Sequence, residues 1–206
     1  MIKAIFFDFE GVITNNPMIL HKDLYKKIEN EISFEEFDKR YSLARIGKIK
    51  YAEFMKGFEK YEPYIFSLIK FRKGAKKTLN YFQSKKVPMI LASNHIDGLA
   101  EMEVEKLGIG KYFNKMFFSH RMGLKKPEES FFLEMLKECG IILKKNEMLF
   151  IDDAKRNLIV AKKLGFVTIY LPNGIEGDTR NKVEFKADYE INNITEMIPI
   201  FEKLNK

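Results

Sequence analysis

The chain has 206 residues, 46% apolar and 32% charged, with a formal net charge of +7. That length allows one well-buried core with room for a second small domain, and no apolar run is long enough to span a membrane. A single cysteine, Cys139, excludes an intrachain disulfide and suits a reducing, cytoplasmic setting. The lysines come as scattered pairs such as Lys26-Lys27, Lys85-Lys86 and Lys162-Lys163, with acids among them. They read as solvated helix faces rather than a nucleic-acid surface.

The first predicted element is a strand, Ile5-Phe6-Phe7, running into Asp8-Phe9-Glu10-Gly11-Val12. A strand at the N-terminus predicts no signal peptide. Gly11 permits a tight turn and close approach of a ligand. From about Asn15 to Phe71 amphipathic helical patterns replace strands, as in Leu20, Leu24 and Ile28, then Phe54, Phe58 and Tyr61. Ser33, three residues before Glu36, marks a helix start. The aromatic residues here are expected to form a core rather than line a ligand site.

After Gly74 a helix is expected over Ala75 to Lys85, then a strand through Val87 to Ala92 ending at Ser93-Asn94-His95. A helix from Gly98 to Leu107, a short strand at Lys115 to Phe118 and a loop, Gly123 to Glu128, follow. Pro127 holds Lys126 extended in that loop. Next come a helix over Ser130 to Cys139, a strand Met148 to Ile151 stopping at Asp152-Asp153, and a helix from Asn157 to Leu164. Val167 to Leu171, an edge strand near Tyr189-Glu190-Ile191 and a helix from Ile194 to Leu204 complete the chain. This alternation predicts an α/β fold with a doubly wound parallel sheet.

In such sheets ligands bind beyond the carboxyl ends of the strands. Asp8, Ser93 and Asp152-Asp153 all stand at strand ends, and Lys126 on a loop, so these groups can converge. Three carboxylates together would raise one another's pKa values unless a cation were present. Lys126 and a hard divalent ion would supply it, and all-oxygen ligation is the Mg²⁺ pattern.

Asp8-Phe9-Glu10-Gly11-Val12, Ser93-Asn94, Lys126-Pro127 and Asp152-Asp153 resemble, in order, the four motifs of the haloacid dehalogenase-like (HAD) hydrolases. Arg45-Ile46-Gly47-Lys48-Ile49, Asn157, Ala161 and Leu164-Gly165-Phe166 are further matches, and the resemblance covers nearly the whole chain. It implies a Rossmann-like core from residues 1–14 and 72–206, with a helical cap domain inserted at 15–71. It implies a Mg²⁺-dependent phosphatase acting on a small phosphorylated metabolite, with Asp8 as nucleophile, Glu10 as acid/base and Lys126 as charge stabiliser. Gly11, Ser93, Asn94 and Arg45 would bind phosphate or substrate. The metal would be held by Asp8, the Glu10 carbonyl and Asp153, with Asp152 direct or through water. The loop around Thr14 to Pro17 would face the site from the cap side.

Glu10 departs from the family pattern, which usually carries a second aspartate. The extra methylene adds about 1.5 Å of reach. Two other classes therefore stay open: a 2-haloacid dehalogenase, against which Asp152-Asp153 argues, and a catalytically weak binding or regulatory protein. His95, just past Ser93-Asn94, is expected at the substrate rim or in a structural role. His21 and His120 show no partner pattern, and the histidines form no metal motif in sequence. Oligomeric state is not legible in the sequence.

Overall fold

The computed structural model describes residues 1–15, 18–140, 144–175 and 178–206. Its elements in chain order are β1 (Ala4–Phe7), a π-helical turn (Leu20–Leu24), α1 (Tyr25–Ile28), α2 (Phe34–Arg45), α3 (Tyr51–Phe54) and α4 (Glu62–Leu68). Then come α5 (Ala75–Ser84), β2 (Met89–Ser93), α6 (Leu99–Leu107), β3 (Lys115–Phe118), α7 (Ser119–Met122), α8 (Glu129–Cys139) and β4 (Met148–Asp152). α9 (Lys155–Lys163), β5 (Val167–Tyr170), β6 (Tyr189–Glu190) and α10 (Met197–Leu204) close the fold. The expected elements after Gly74 are present with ends shifted by a residue or two. The exception is the last helix, whose first turn, Ile194–Glu196, is a 3-10 turn. Helix α7 had no sequence signal, being only one turn long.

All six strands pair in parallel, in the order β3-β2-β1-β4-β5-β6. Period-two alternation sorts the central strands between two faces. Ile5, Phe7, Leu91, Leu149 and Ile151 pack on one side with α5 and α10. Ala4, Phe6, Ile90, Ala92 and Phe150 pack on the other with α8 and α9. Both faces are covered, so β1, β2 and β4 are buried along their whole length, which accounts for their unbroken apolar runs. Strand order reverses direction at β1, between β2 and β4, which is where a doubly wound sheet opens a ligand crevice.

The helices between Leu20 and Leu68 have a hydrophobic cluster of their own, with Leu24, Ile28, Phe37, Phe54, Phe58 and Ile65 buried together. Ile96 and Leu99 of the sheet-bearing part join it. Ser33 does cap α2, accepting the Glu36 N–H at 3.2 Å; Glu36 itself turns to Arg40, 3.0 Å away. Gly47, just beyond α2, has φ +74°, and a Cβ there would lie 2.1 Å from the His120 carbonyl oxygen. Only glycine lets the insert come this close to the sheet-bearing part. Among the described residues no helix is long and apolar enough to cross a membrane.

Candidate active site

The register of β1 on β4 aligns Phe7 with Ile151, and the Asp8 N–H continues the ladder to the Ile151 carbonyl at 2.9 Å. Asp8 and Asp152 therefore leave adjacent strands side by side. One oxygen from each of Asp8, Asp152 and Asp153 lies within 4.8 Å of the others, and all three residues are buried. Lys126 Nζ enters this group 2.8 Å from Asp8 Oδ1 and 2.7 Å from Asp152 Oδ2.

The lysine is positioned by Asn94. The Asn94 amide donates to the Lys126 carbonyl at 2.7 Å, and its Oδ1 accepts the Lys126 N–H, also at 2.7 Å. The Asn94 side chain thus clasps the Lys126 loop backbone, while Asn94 also lines the cleft. Ser93, buried at the end of β2, lines the same cleft as Asp8, Glu10 and Lys126. Gly11 does not line that cleft; its positive φ of 82° lets the chain turn there, and its carbonyl accepts from Arg72.

The two aspartates of the pair differ. Asp152 Oδ1 accepts the Ala154 N–H at 2.8 Å, and Asn157 Nδ2 sits 3.0 Å from both Asp152 oxygens. With Lys126 on Oδ2, this carboxylate is fully engaged. Asp153 is held by Arg180 at 3.0 Å and by Asn173 at 2.8 Å, and Arg180 also grips Asp178 at 2.7 Å. Arg180, Asn173 and Asp178 had no motif to mark them.

Burial pushes Asp8 up to about 8, Asp152 adds to the rise, and Lys126 opposes it. Asp153 is likewise raised by burial, against the pull of Arg180. Lys126 stays charged, since Asp152 and Asp8 more than reverse the lowering that burial alone would cause. Three buried carboxylates thus share two cations, one of them also paired elsewhere, and the deficit is positive charge. The oxygen-only donor set suits a hard divalent cation such as Mg²⁺.

One prediction follows for the metal-free protein. Asp8 titrates at about 8 when folded and near its ordinary 3.8 when unfolded. Between those values the folded chain holds a proton that the unfolded chain has released, so stability falls as pH rises. Melting at about pH 5 and about pH 8 should show the lower Tm at the higher pH, and Mg²⁺ should raise Tm more there. A metal-free Tm that rises over the interval would show that Asp8 is not protonated in the fold.

Glu10 lines the cleft beside this group. Burial pushes it up to about 7 against the pull of His95, with Glu103 adding to the rise. His95 is not at the rim: it is 2% exposed. It packs on Phe9 and Phe118, and its Nε2 stands 3.5 Å from Glu103. His21 and His120 also prove to have acidic neighbours. His21 Nε2 bonds Asp38 at 2.9 Å in the cleft, and His120 lies 3.5 Å from Glu101. One oxygen or nitrogen from each of Glu10, His95 and Glu103, and from each of Asp97, Glu101 and His120, falls within 4.8 Å of its companions. Sequence spacing gave no sign of either group.

From the insert, Met18, His21, Asp38, Tyr41 and Arg45 line the cleft, whose volume is about 400 Å³. Tyr41, one of the aromatic residues of this region expected to form a core, lines the cleft while remaining 7% exposed. Thr14 is buried and bridges Glu10 and Phe71. Asn15, next in the expected specificity loop, is exposed, and Asn16 and Pro17 lie outside the described residues.

A carboxylate trio with a buried lysine, at the carboxyl edge of a doubly wound parallel sheet, is an enzyme centre for an anionic substrate. The profile of the haloacid dehalogenase-like hydrolases matches residues 2–165. The chain belongs to that hydrolase family. It is similar to the "Phosphorylated carbohydrates phosphatase" of Thermotoga maritima, 23% identical over 191 residues, covering 82% of this chain and 84% of that protein. It is also similar to the "D-ribitol-5-phosphate phosphatase" of Bacteroides thetaiotaomicron, 33% identical over 76 residues, a match spanning 37% of this chain and only 36% of that protein. Among solved structures, a HAD family enzyme from Bacteroides thetaiotaomicron, crystallised as a magnesium complex, matches with TM-score 0.66 and 25% identity. That match covers 86% of this chain and 96% of the other.

Proposed function

We propose that the protein is a Mg²⁺-dependent phosphatase that hydrolyses a small phosphorylated metabolite through an aspartyl-phosphate on Asp8. The observation that carries this reading is Lys126 Nζ, 2.8 Å from Asp8 and 2.7 Å from Asp152, buried with both. The phosphatase names of the two relatives and the magnesium bound by the Bacteroides enzyme support it.

Asp8 Oδ1 takes the Phe9 N–H and the Lys126 ammonium, which leaves Oδ2 to attack phosphorus. Carboxylate attack splits hydrolysis into formation and breakdown of an acyl-phosphate. Lys126 neutralises the charge of Asp8 and of the phosphoryl oxygens, and the Ser93 hydroxyl donates to one of those oxygens. Glu10 gives its proton to the leaving oxygen, then takes one from the water that cleaves the acyl-phosphate. Asp8, the Glu10 carbonyl and Asp153 would hold Mg²⁺, which would supply the missing positive charge at the phosphoryl group. Asp152 orients Lys126. Residues 15–71 serve as the cap, excluding water and selecting the substrate, with Arg45 facing the reaction centre.

Phosphate release from an aryl phosphate, with and without Mg²⁺, tests the reading. Turnover should depend on Mg²⁺ and fall by about 100-fold or more in chelator. Full activity in chelator would defeat metal dependence. Halide release from a 2-haloacid with no phosphate release would favour the dehalogenase class instead.

A further inference from the structure

Three guanidinium groups line the cleft: Arg45 from α2, Arg156 from α9 and Arg180 from the turn after β5. Arg180 is matched by Asp153 at 3.0 Å and Asp178 at 2.7 Å. The other two are not. The Nε atoms of both Arg45 and Arg156 are buried without a hydrogen-bond partner among the described residues. Neither side chain forms an ion pair among those residues. Arg45 rests on the Tyr41 ring, its guanidinium carbon 5.3 Å from the ring centre, a contact that satisfies no N–H.

The acids of the cleft are already in use. Asp38 bonds His21 at 2.9 Å, and Asp178 is held by Arg180. Asp8 and Glu10 belong to the reaction centre. Burial, then the positive charge of Arg180 and Arg45, pulls Arg156 below the usual arginine range. A buried N–H left without an acceptor costs stability, and more so on a charged group. A chain that folds with two such groups facing one cleft fits an acceptor that arrives with the substrate. A guanidinium fork matches a planar carboxylate or a phosphate, the two oxyanions it binds best.

Given the phosphatase reading above, on which this rests, we infer that Arg45 and Arg156 form a second anion subsite. The preferred phosphate ester then carries a further oxyanion, a carboxylate or a second phosphate, at the end remote from Asp8. The cleft, about 400 Å³, has room for a short phosphorylated acid or a sugar bisphosphate. Arg45 belongs to the insert and Arg156 to the sheet-bearing part, so an anion between them would also tie the two together over the reaction centre. Neutral polyol phosphates would leave both arginines unsatisfied and should be the poorer substrates.

The experiment is a comparison of kcat/KM in saturating Mg²⁺ within two substrate pairs. One is 3-phosphoglycerate against glycerol 3-phosphate; the other is fructose 1,6-bisphosphate against fructose 6-phosphate. In at least one pair the doubly anionic member should be preferred by about 10-fold or more, a factor one charge-assisted hydrogen bond supplies. The pair with the larger ratio tells carboxylate from phosphate. Arg156→Gln should bring that ratio close to one, and Arg156→Lys should keep part of it. Arg156 is the diagnostic position because Arg45 is among the main charges acting on Glu10, so losing Arg45 would also disturb that group. A wild type indifferent to the second anion in both pairs, or a ratio that survives Arg156→Gln, would overturn the subsite. Should none of the esters be hydrolysed, the phosphatase reading fails by itself. Calorimetric binding to the Asp8→Asn protein then decides the subsite: about 10-fold tighter binding of 3-phosphoglycerate than of glycerol 3-phosphate supports it, and equal binding overturns it.

Discussion

Asp8→Asn is expected to lower phosphate-ester turnover by about 1,000-fold or more, because an amide cannot attack phosphorus and no second carboxylate has the same place. Asp152 is locked by Lys126, Asn157 and the Ala154 N–H, and Asp153 by Arg180 and Asn173. The fold should survive, since asparagine is nearly isosteric and one buried negative charge is removed from a group short of positive charge. The metal-free variant should therefore be more stable than wild type at about pH 8, with a flatter fall in Tm between pH 5 and pH 8. Beryllium fluoride, which mimics the phosphoryl group on an aspartate, should inhibit wild type and not bind the variant. Retention of more than about a tenth of the rate would show that the nucleophile lies elsewhere.

The convergence of the strand-end residues was legible because each member sits where chain geometry marks it. Asp8, Ser93, Asp152 and Asp153 end or directly follow apolar strands, and the fully buried strands of a parallel sheet give an unmistakable run of large residues. Lys126 was marked by the proline behind it. The residues around them were hidden for stated reasons. Arg180, Asn173 and Asp178 lie on an irregular stretch after β5, which has no periodicity to read. Arg156 stands on α9 beside Asn157, where a basic residue looks like solvated surface. Asn94 lines the cleft, as a substrate contact requires; the further use of its side-chain amide, which reaches both polar groups of the Lys126 backbone, is a pairing across 32 positions that no local pattern encodes. His95 was expected at the rim, by its closeness to Ser93, or in a structural role; the chain turns it inward, onto Phe9, Phe118 and Glu103, which is the structural placement.

Glu10→Gln is expected to lower turnover by about 100-fold or more, since neither protonation of the leaving oxygen nor activation of water remains. The environment of Glu10 suits that role better than its sequence implied. Burial holds it near 7, where a group serving in turn as acid and base works best at neutral pH. The proton needed by the leaving oxygen is lost as pH rises through that value, so wild-type kcat/KM should decline above about pH 7. The Gln variant should lack that limb, a readout that a merely structural role for Glu10 would not move. The neighbours also bear on the added methylene. The Ile96 N–H donates to His95 Nδ1 at 3.0 Å, so in neutral His95 the ring proton is on Nε2, which stands 3.5 Å from Glu103. Glu10 has a carboxylate oxygen within 4.8 Å of both. A glutamate is long enough to come within 4.8 Å of this pair and still line the cleft. Glu10→Asp then has two distinct outcomes. If the extra reach misplaces the proton donor, shortening it should raise the rate by about 10-fold. If the nearby His95 and Glu103 set the position of the carboxyl group, aspartate should draw back from them and turn over more slowly than wild type. The wild-type geometry favours the second outcome. A rate unchanged by Glu10→Gln would remove Glu10 from the chemistry and leave only its backbone carbonyl with a role.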